Sequence, residues 1–172
     1  MKFTLTVLIY FMIREFDGLY ASECELMLKA PLLVCILIAG ADDDIDRREI
    51  KKAIELSQRN QSRGKSRLTE FYRELAEDFE DKLKIVIQSF PSKAIQREPM
   101  ISAELKGLND IFPKLNTQFA VDFYQSLLEL AQKTAESSGG LLGMKSVGAE
   151  EAKLVTLAMI LNPADNDSMP KK

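Results

Sequence analysis

The sequence predicts an all-α protein, a single compact domain of about six to eight helices around a central buried helix. Three observations lead there. Apolar residues recur at intervals of three and four through most of the chain, the spacing that lines one face of a helix. Proline or glycine stands where several of those stretches end, as at Pro91 and Gly139, and neither continues a helix well. The remaining apolar run, PLLVCILIAGA from Pro31, reads equally as a buried strand or a buried helix. No second convincing strand is available to satisfy its backbone, so helix is the better reading, and this segment becomes the central one.

A length of 172 residues fits one ordinary domain. With 46% apolar and 28% charged residues, the composition is that of a globular protein rather than a disordered or membrane-spanning one. The domain is expected over residues 1–161, followed by a polar tail over 162–172.

Taken in order, Lys2 and the run FTLTVLIYFMI admit two readings: the basic and apolar regions of a secretory signal, or an amphipathic first helix over Phe3 to Ile13. FDGLYASECEL reads as a turn at Asp17-Gly18, then a helix capped by Ser22 with Glu25 closing a capping box. After the apolar run, Asp46 is an N-cap, Glu49 stands three residues on, and Ile45 and Ile50 form a hydrophobic staple. A third copy of this arrangement is MKSVGAEEA, with Val147 before Gly148 and Glu151 three positions on.

Residues 66–90 place Leu68, Phe71, Tyr72, Leu75, Phe79, Leu83 and Val86 on one face, which predicts one long amphipathic helix ended by Pro91. Between Pro99 and Pro113 there is room for a short helix. Asn116 to Ser137 repeats the amphipathic pattern through Phe119, Phe123, Leu127, Leu130 and Ala131, and residues 149–161 form a last helix on Leu154, Leu157, Ala158 and Leu161.

Function is narrowed first by what is missing. The chain has no histidine, the commonest general base at neutral pH and the commonest transition-metal ligand, so Ser-His-Asp and Cys-His catalysts are excluded. Two cysteines, Cys24 and Cys35, build neither a disulfide framework nor a zinc site. They read as small core residues in a reducing cytoplasm. A net charge of -3 argues against a general nucleic-acid binder. No enzymatic activity is expected: SSGGLLG lacks the GK[ST] of a phosphate loop and any base to activate a serine. The acids of residues 74–81 lack the Glu-x-x-His motifs of a di-metal helix.

Two local features remain. IAGADDDIDRREI gathers Asp42, Asp43, Asp44 and Asp46. Capping accounts for Asp46, whereas the first three follow the C-terminus of an apolar helix, where the dipole is unfavourable to anions. Water and salt, the nearby Arg47, Arg48 and Lys51, or a bound divalent cation are the candidates to compensate. An all-oxygen site suits Ca²⁺ or Mg²⁺. It is no EF-hand, because Arg47 replaces the required glycine and Ala53 the bidentate glutamate. RNQSRGKSR gathers Arg59, Arg63, Lys65 and Arg67, read as a solvated inter-helix loop or a contact for phosphate or an acidic partner; no aromatic residues are interleaved for base stacking.

The phrase IAGADDDIDRRE resembles the loop of TerB-like, tellurite-resistance-associated proteins: alanine, aspartate, usually glycine, a variable residue, isoleucine, aspartate, two variable residues and glutamate. Asp42, Ile45, Asp46 and Glu49 match, and Asp43 stands at the glycine position. FDGLYASE is similar to a degenerate first copy, and ESSGGLLGMKSVGAEEA to a glycine-rich link before a final helix. The resemblance implies a helical, cytoplasmic bacterial module, associated with stress and membrane partners, not an enzyme, with an acidic surface suggested to bind divalent metal ions. The alternative is a protein-protein interaction scaffold without metal, whose acidic loop only caps helices.

Overall fold

A computed structural model describes residues 13–41, 43, 45, 47–63, 68–138 and 154–168. The described residues are helical and contain no strand, as the periodicity predicts. Residues 1–12 and 139–153 lie outside them, and with them the first-helix or signal reading, the SSGG link and the third capping copy.

A 3-10 turn, Arg14–Phe16, leads into the Asp17-Gly18 turn, where Gly18 takes φ +94, a conformation open to glycine at little cost. Helix α1 follows over Ala21–Ala39. Its start differs from the expected Ser22 cap. The Tyr20 amide donates to Glu23 Oε2 at 2.9 Å, so the reciprocal acid is Glu23 rather than Glu25, and the helix begins as soon as the Gly18 turn allows. Lys114 also pairs with Glu23, which ties this end to the far side of the chain.

α1 continues through Pro31, so the expected capped helix and the expected apolar helix are one. Proline forfeits one intrahelical bond, but every residue from Ala30 to Ala39 is buried, and packing outweighs propensity in such a setting. α2 spans Arg47–Arg63 and puts Ile50, Ala53 and Ile54 into the core. Its length corrects the loop reading of residues 59–67: Arg59 and Arg63 are helical, while Lys65 and Arg67 lie outside the described residues.

The expected long helix over 66–90 is two, α3 (Thr69–Ala76) and α4 (Phe79–Gln88). The break is at Asp78, whose φ is 50; aspartate tolerates this left-handed region better than most side chains. Lys82 Nζ donates to the Glu74 carbonyl at 2.7 Å and meets the negative end of α3. The break keeps the predicted face intact, since Leu68, Phe71, Tyr72, Leu75, Phe79, Leu83 and Val86 are all buried.

α5 runs over Ala94–Lys106, earlier than the Pro99 boundary suggests, and α6 over Leu108–Ile111 leads into a 3-10 turn at Phe112–Lys114. Gly107 joins them because a Cβ there would lie 2.9 Å from Leu26 Cδ2 of α1. α7, Thr117–Ser138, starts with Asn116 Oδ1 accepting from the Phe119 amide at 3.2 Å.

α1 packs against α7, α5, α2 and α4, and α7 also against α2. Edge-to-face rings seal the middle: Phe71 meets Phe123 at 5.2 Å and Tyr72 at 5.4 Å. The expected last helix is helical only at Leu154–Val155 among its described residues. Leu157 then takes φ 47, and its buried side chain is aimed inward by turns rather than by a helix. Asn109 clamps that segment, donating to the Met159 carbonyl at 3.1 Å and accepting from the Leu161 amide at 2.8 Å. Pro163–Ser168 form a 3-10 helix against α7. Among the described residues no helix is long and apolar enough to cross a membrane.

Candidate functional site

The acidic stretch follows α1 in sequence, but the side chain described from it belongs to another helix end. Asp43 has φ 72, the left-handed conformation, and its amide donates to the Gly40 carbonyl at 3.2 Å. The resulting turn swings the carboxylate onto the N-terminus of α5, where Oδ1 accepts from the Ala94 amide and Oδ2 pairs with Lys93 Nζ at 3.1 Å. A carboxylate at a helix N-terminus satisfies an orphan amide and suits the dipole. First the Ala94 amide and then the Lys93 ammonium hold the Asp43 carboxyl below the usual aspartate range.

The opposite exchange occurs beneath it. Arg97, on α5 and buried, reaches the C-terminal end of α1: Nη2 donates to the Gly40 carbonyl at 2.5 Å, and Nη1 donates to the carbonyls of Ser92 at 2.7 Å and Pro91 at 3.2 Å. A cation at a helix C-terminus is favourable for the same reason an anion is favourable at an N-terminus. Each of the two helix ends is thus met by a charge from the other segment. Gly40 has an ordinary backbone, φ -98 and ψ 12; the position requires glycine for room, because a Cβ would sit 2.5 Å from Arg97 Nη2.

The cavity beside Arg97, lined by Leu37, Gly40, Ala94 and Ile101 among others, holds about 10 Å³. That is the space of one water molecule, too small for an organic substrate.

Among the four predicted metal ligands, only Asp43 is described. Its carboxylate is committed to Ala94 and Lys93, a compensation that neither the neighbouring arginines nor Lys51 provides; Lys51 pairs with Glu80 at 2.6 Å instead. Asp42, Asp44 and Asp46 lie outside the described residues, as do Lys65 and Arg67. α2 begins at Arg47, directly after Asp46, and Ile50 is fully buried while Ile45 packs against the core. Arg59 is exposed on α2, and Arg63 ends that helix. Among the described residues no group of three or more metal-ligating side chains converges.

The residues that sequence reasoning missed are Lys93, Arg97 and Gly40. Their signal is the register of α5: Arg97, Ile101 and Leu105 recur every four residues and are its buried positions. A cation on an apolar stripe calls for acceptors nearby.

Cys24 and Cys35 are buried and unbridged. Burial pushes the Cys35 thiol up to about 12, and Thr134 Oγ1 donates to its sulfur at 3.6 Å. No family model, curated protein or solved structure matches the chain.

Proposed function

We propose that this chain is a non-enzymatic helical module of the TerB-like kind, whose acidic loop has two parts. Asp43 fastens α1 to α5, and Asp42 and Asp44, beside the helix-capping Asp46, are the carboxylates left for a divalent cation, Ca²⁺ or Mg²⁺. The observation that supports this reading is the backbone of Asp43. At φ 72 it takes the conformation that the glycine of the family pattern is free to take, so the departure from that pattern preserves the turn. Its carboxylate is spent on the Ala94 amide and Lys93 and leaves the ligand set.

The same contact favours a second reading, an interaction scaffold in which the loop only caps helices. Thermal unfolding with and without millimolar Ca²⁺ or Mg²⁺ separates the two, using wild type and Asp42→Asn/Asp44→Asn. On the cation reading the wild-type midpoint rises and the variant's does not; a cation at one hundred times its dissociation constant adds about 2.7 kcal/mol. If neither ion moves the wild-type midpoint and the variant is the more stable protein, the cation reading is refuted and the scaffold stands.

A further inference from the structure

The charge of this chain is unevenly placed. α2 carries Arg47, Arg48, Lys51, Lys52, Arg59 and Arg63 against two acids, Glu49 and Glu55, a net of +4 in a chain whose net charge is -3. Their spacing puts Arg47, Arg48, Lys51, Lys52 and Arg59 on one broad arc of the helix, at 3.6 residues per turn. Ile50, Ala53, Ile54 and Ser57 take the opposite arc and are buried. Arg47, Arg48, Lys51, Lys52 and Arg59 are exposed. From Arg47 to Arg59 the row extends over about 18 Å, at 1.5 Å per residue.

We propose that the exposed arc of α2 is a docking surface for an acidic protein segment, an extended or helical stretch rich in glutamate and aspartate. The net positive charge of the exposed arc is what an acidic partner complements. The exposed cations gather at the first turns of the helix and again at Arg59, with Glu55 between them and Lys51 paired to Glu80, and carboxylates on a partner complement the net positive charge that remains. The described apolar residues of α2, Ile50, Ala53 and Ile54, are buried in the core, whereas a peripheral amphipathic helix inserts its apolar face into lipid. The row contains no aromatic side chain on which a base could stack. Glu55, which lies within the arc, and Glu80, paired with Lys51, add repulsion that fixes where partner carboxylates sit.

The test is fluorescence anisotropy with a labelled twenty-residue glutamate-rich peptide, at low salt and at about 0.5 M salt, where the screening length is a few ångströms. The proteins are wild type, Lys52→Glu/Arg59→Glu, and a control, Lys84→Glu/Lys106→Glu, which reverses two exposed lysines on other helices. The expected result is peptide binding that weakens at least tenfold in the α2 variant, changes less than twofold in the control and disappears at high salt. If the charge reversal compromises folding by circular dichroism, Lys52→Gln/Arg59→Gln replaces it with the same expected direction. Equal losses in both double variants, or no peptide binding at low salt, overturn the proposal. So does binding of single-stranded RNA or phosphatidylserine vesicles at this face in place of the peptide.

Discussion

Replacing Gly40 by alanine perturbs the junction of α1 and α5 with one added methyl. Elsewhere such a change stabilises by about 0.4–1 kcal/mol, because alanine has fewer unfolded conformations to lose, and the backbone here, φ -98 and ψ 12, accepts alanine. The surroundings do not. The new Cβ would lie 2.5 Å from Arg97 Nη2, 3.1 Å from Arg97 Cζ and 2.7 Å from the Ile36 carbonyl oxygen. Displacing the guanidinium forfeits its bond to the Gly40 carbonyl, and hydrogen bonds to charged groups contribute about 1.5–3 kcal/mol. The Ile36 oxygen is backbone and yields little, which adds an overpacking cost of about 1–3 kcal/mol. The net expectation is a loss of about 2–5 kcal/mol.

Urea unfolding followed by circular dichroism measures it, in wild type and in an Arg97→Met background. There the guanidinium contact is gone and only the Ile36 contact remains, so the cost of Gly40→Ala should shrink by at least about 1 kcal/mol. A Gly40→Ala protein as stable as wild type, or an equal loss in both backgrounds, would refute the claim that Arg97 is what demands glycine at position 40.

Two further outcomes test the same architecture. The Asp43 carboxyl is held below its ordinary value, so its contribution is present above about pH 4, where an unfolded aspartate is ionised, and is lost as pH falls through the lower folded value; unfolding midpoints between pH 2 and 5 should therefore fall more steeply for wild type than for Asp43→Asn, and parallel curves would count against the cap. Asn109→Ala removes both bonds that hold Met159 and Leu161, so amide hydrogen exchange should accelerate over residues 157–168 while α1 and α7 keep wild-type protection; unchanged exchange there would show that packing alone holds that segment.

Much of the helical content was legible. The faces of α3, α4 and α7 follow from residue spacing alone, because a core-facing side chain must recur every three or four positions whatever it packs against. Helix ends were less legible. Asp78 interrupts a pattern that runs on without a break, and nothing in the local sequence distinguishes a helix continued from a helix re-aimed. Pro31 and Pro99 mislead in the other direction: a proline removes one bond, and burial on the remaining surface of α1 holds the helix through it. The start of α1 was misplaced by two residues because Glu23 and Glu25 are equivalent as box acids in sequence, and only Lys114, ninety-one residues away, marks which one is anchored.

The acidic loop shows the same division. Sequence by itself determined that IAGADDDIDRREI follows an apolar helix, that α2 begins after Asp46, that Ile50 faces inward, and that the chain has no histidine with which to build common catalytic or transition-metal sites. These follow from composition and from interactions within a few residues. Where the charge of Asp43 goes was decided by tertiary structure alone. Its partners, Lys93 and the Ala94 amide, lie about fifty residues further on, and Arg97 returns from the same helix to the end of α1. Electrostatic compensation depends on distance in space, and only the packing of α5 against α1 brings the two helix ends, each with the charge the other lacks, into contact.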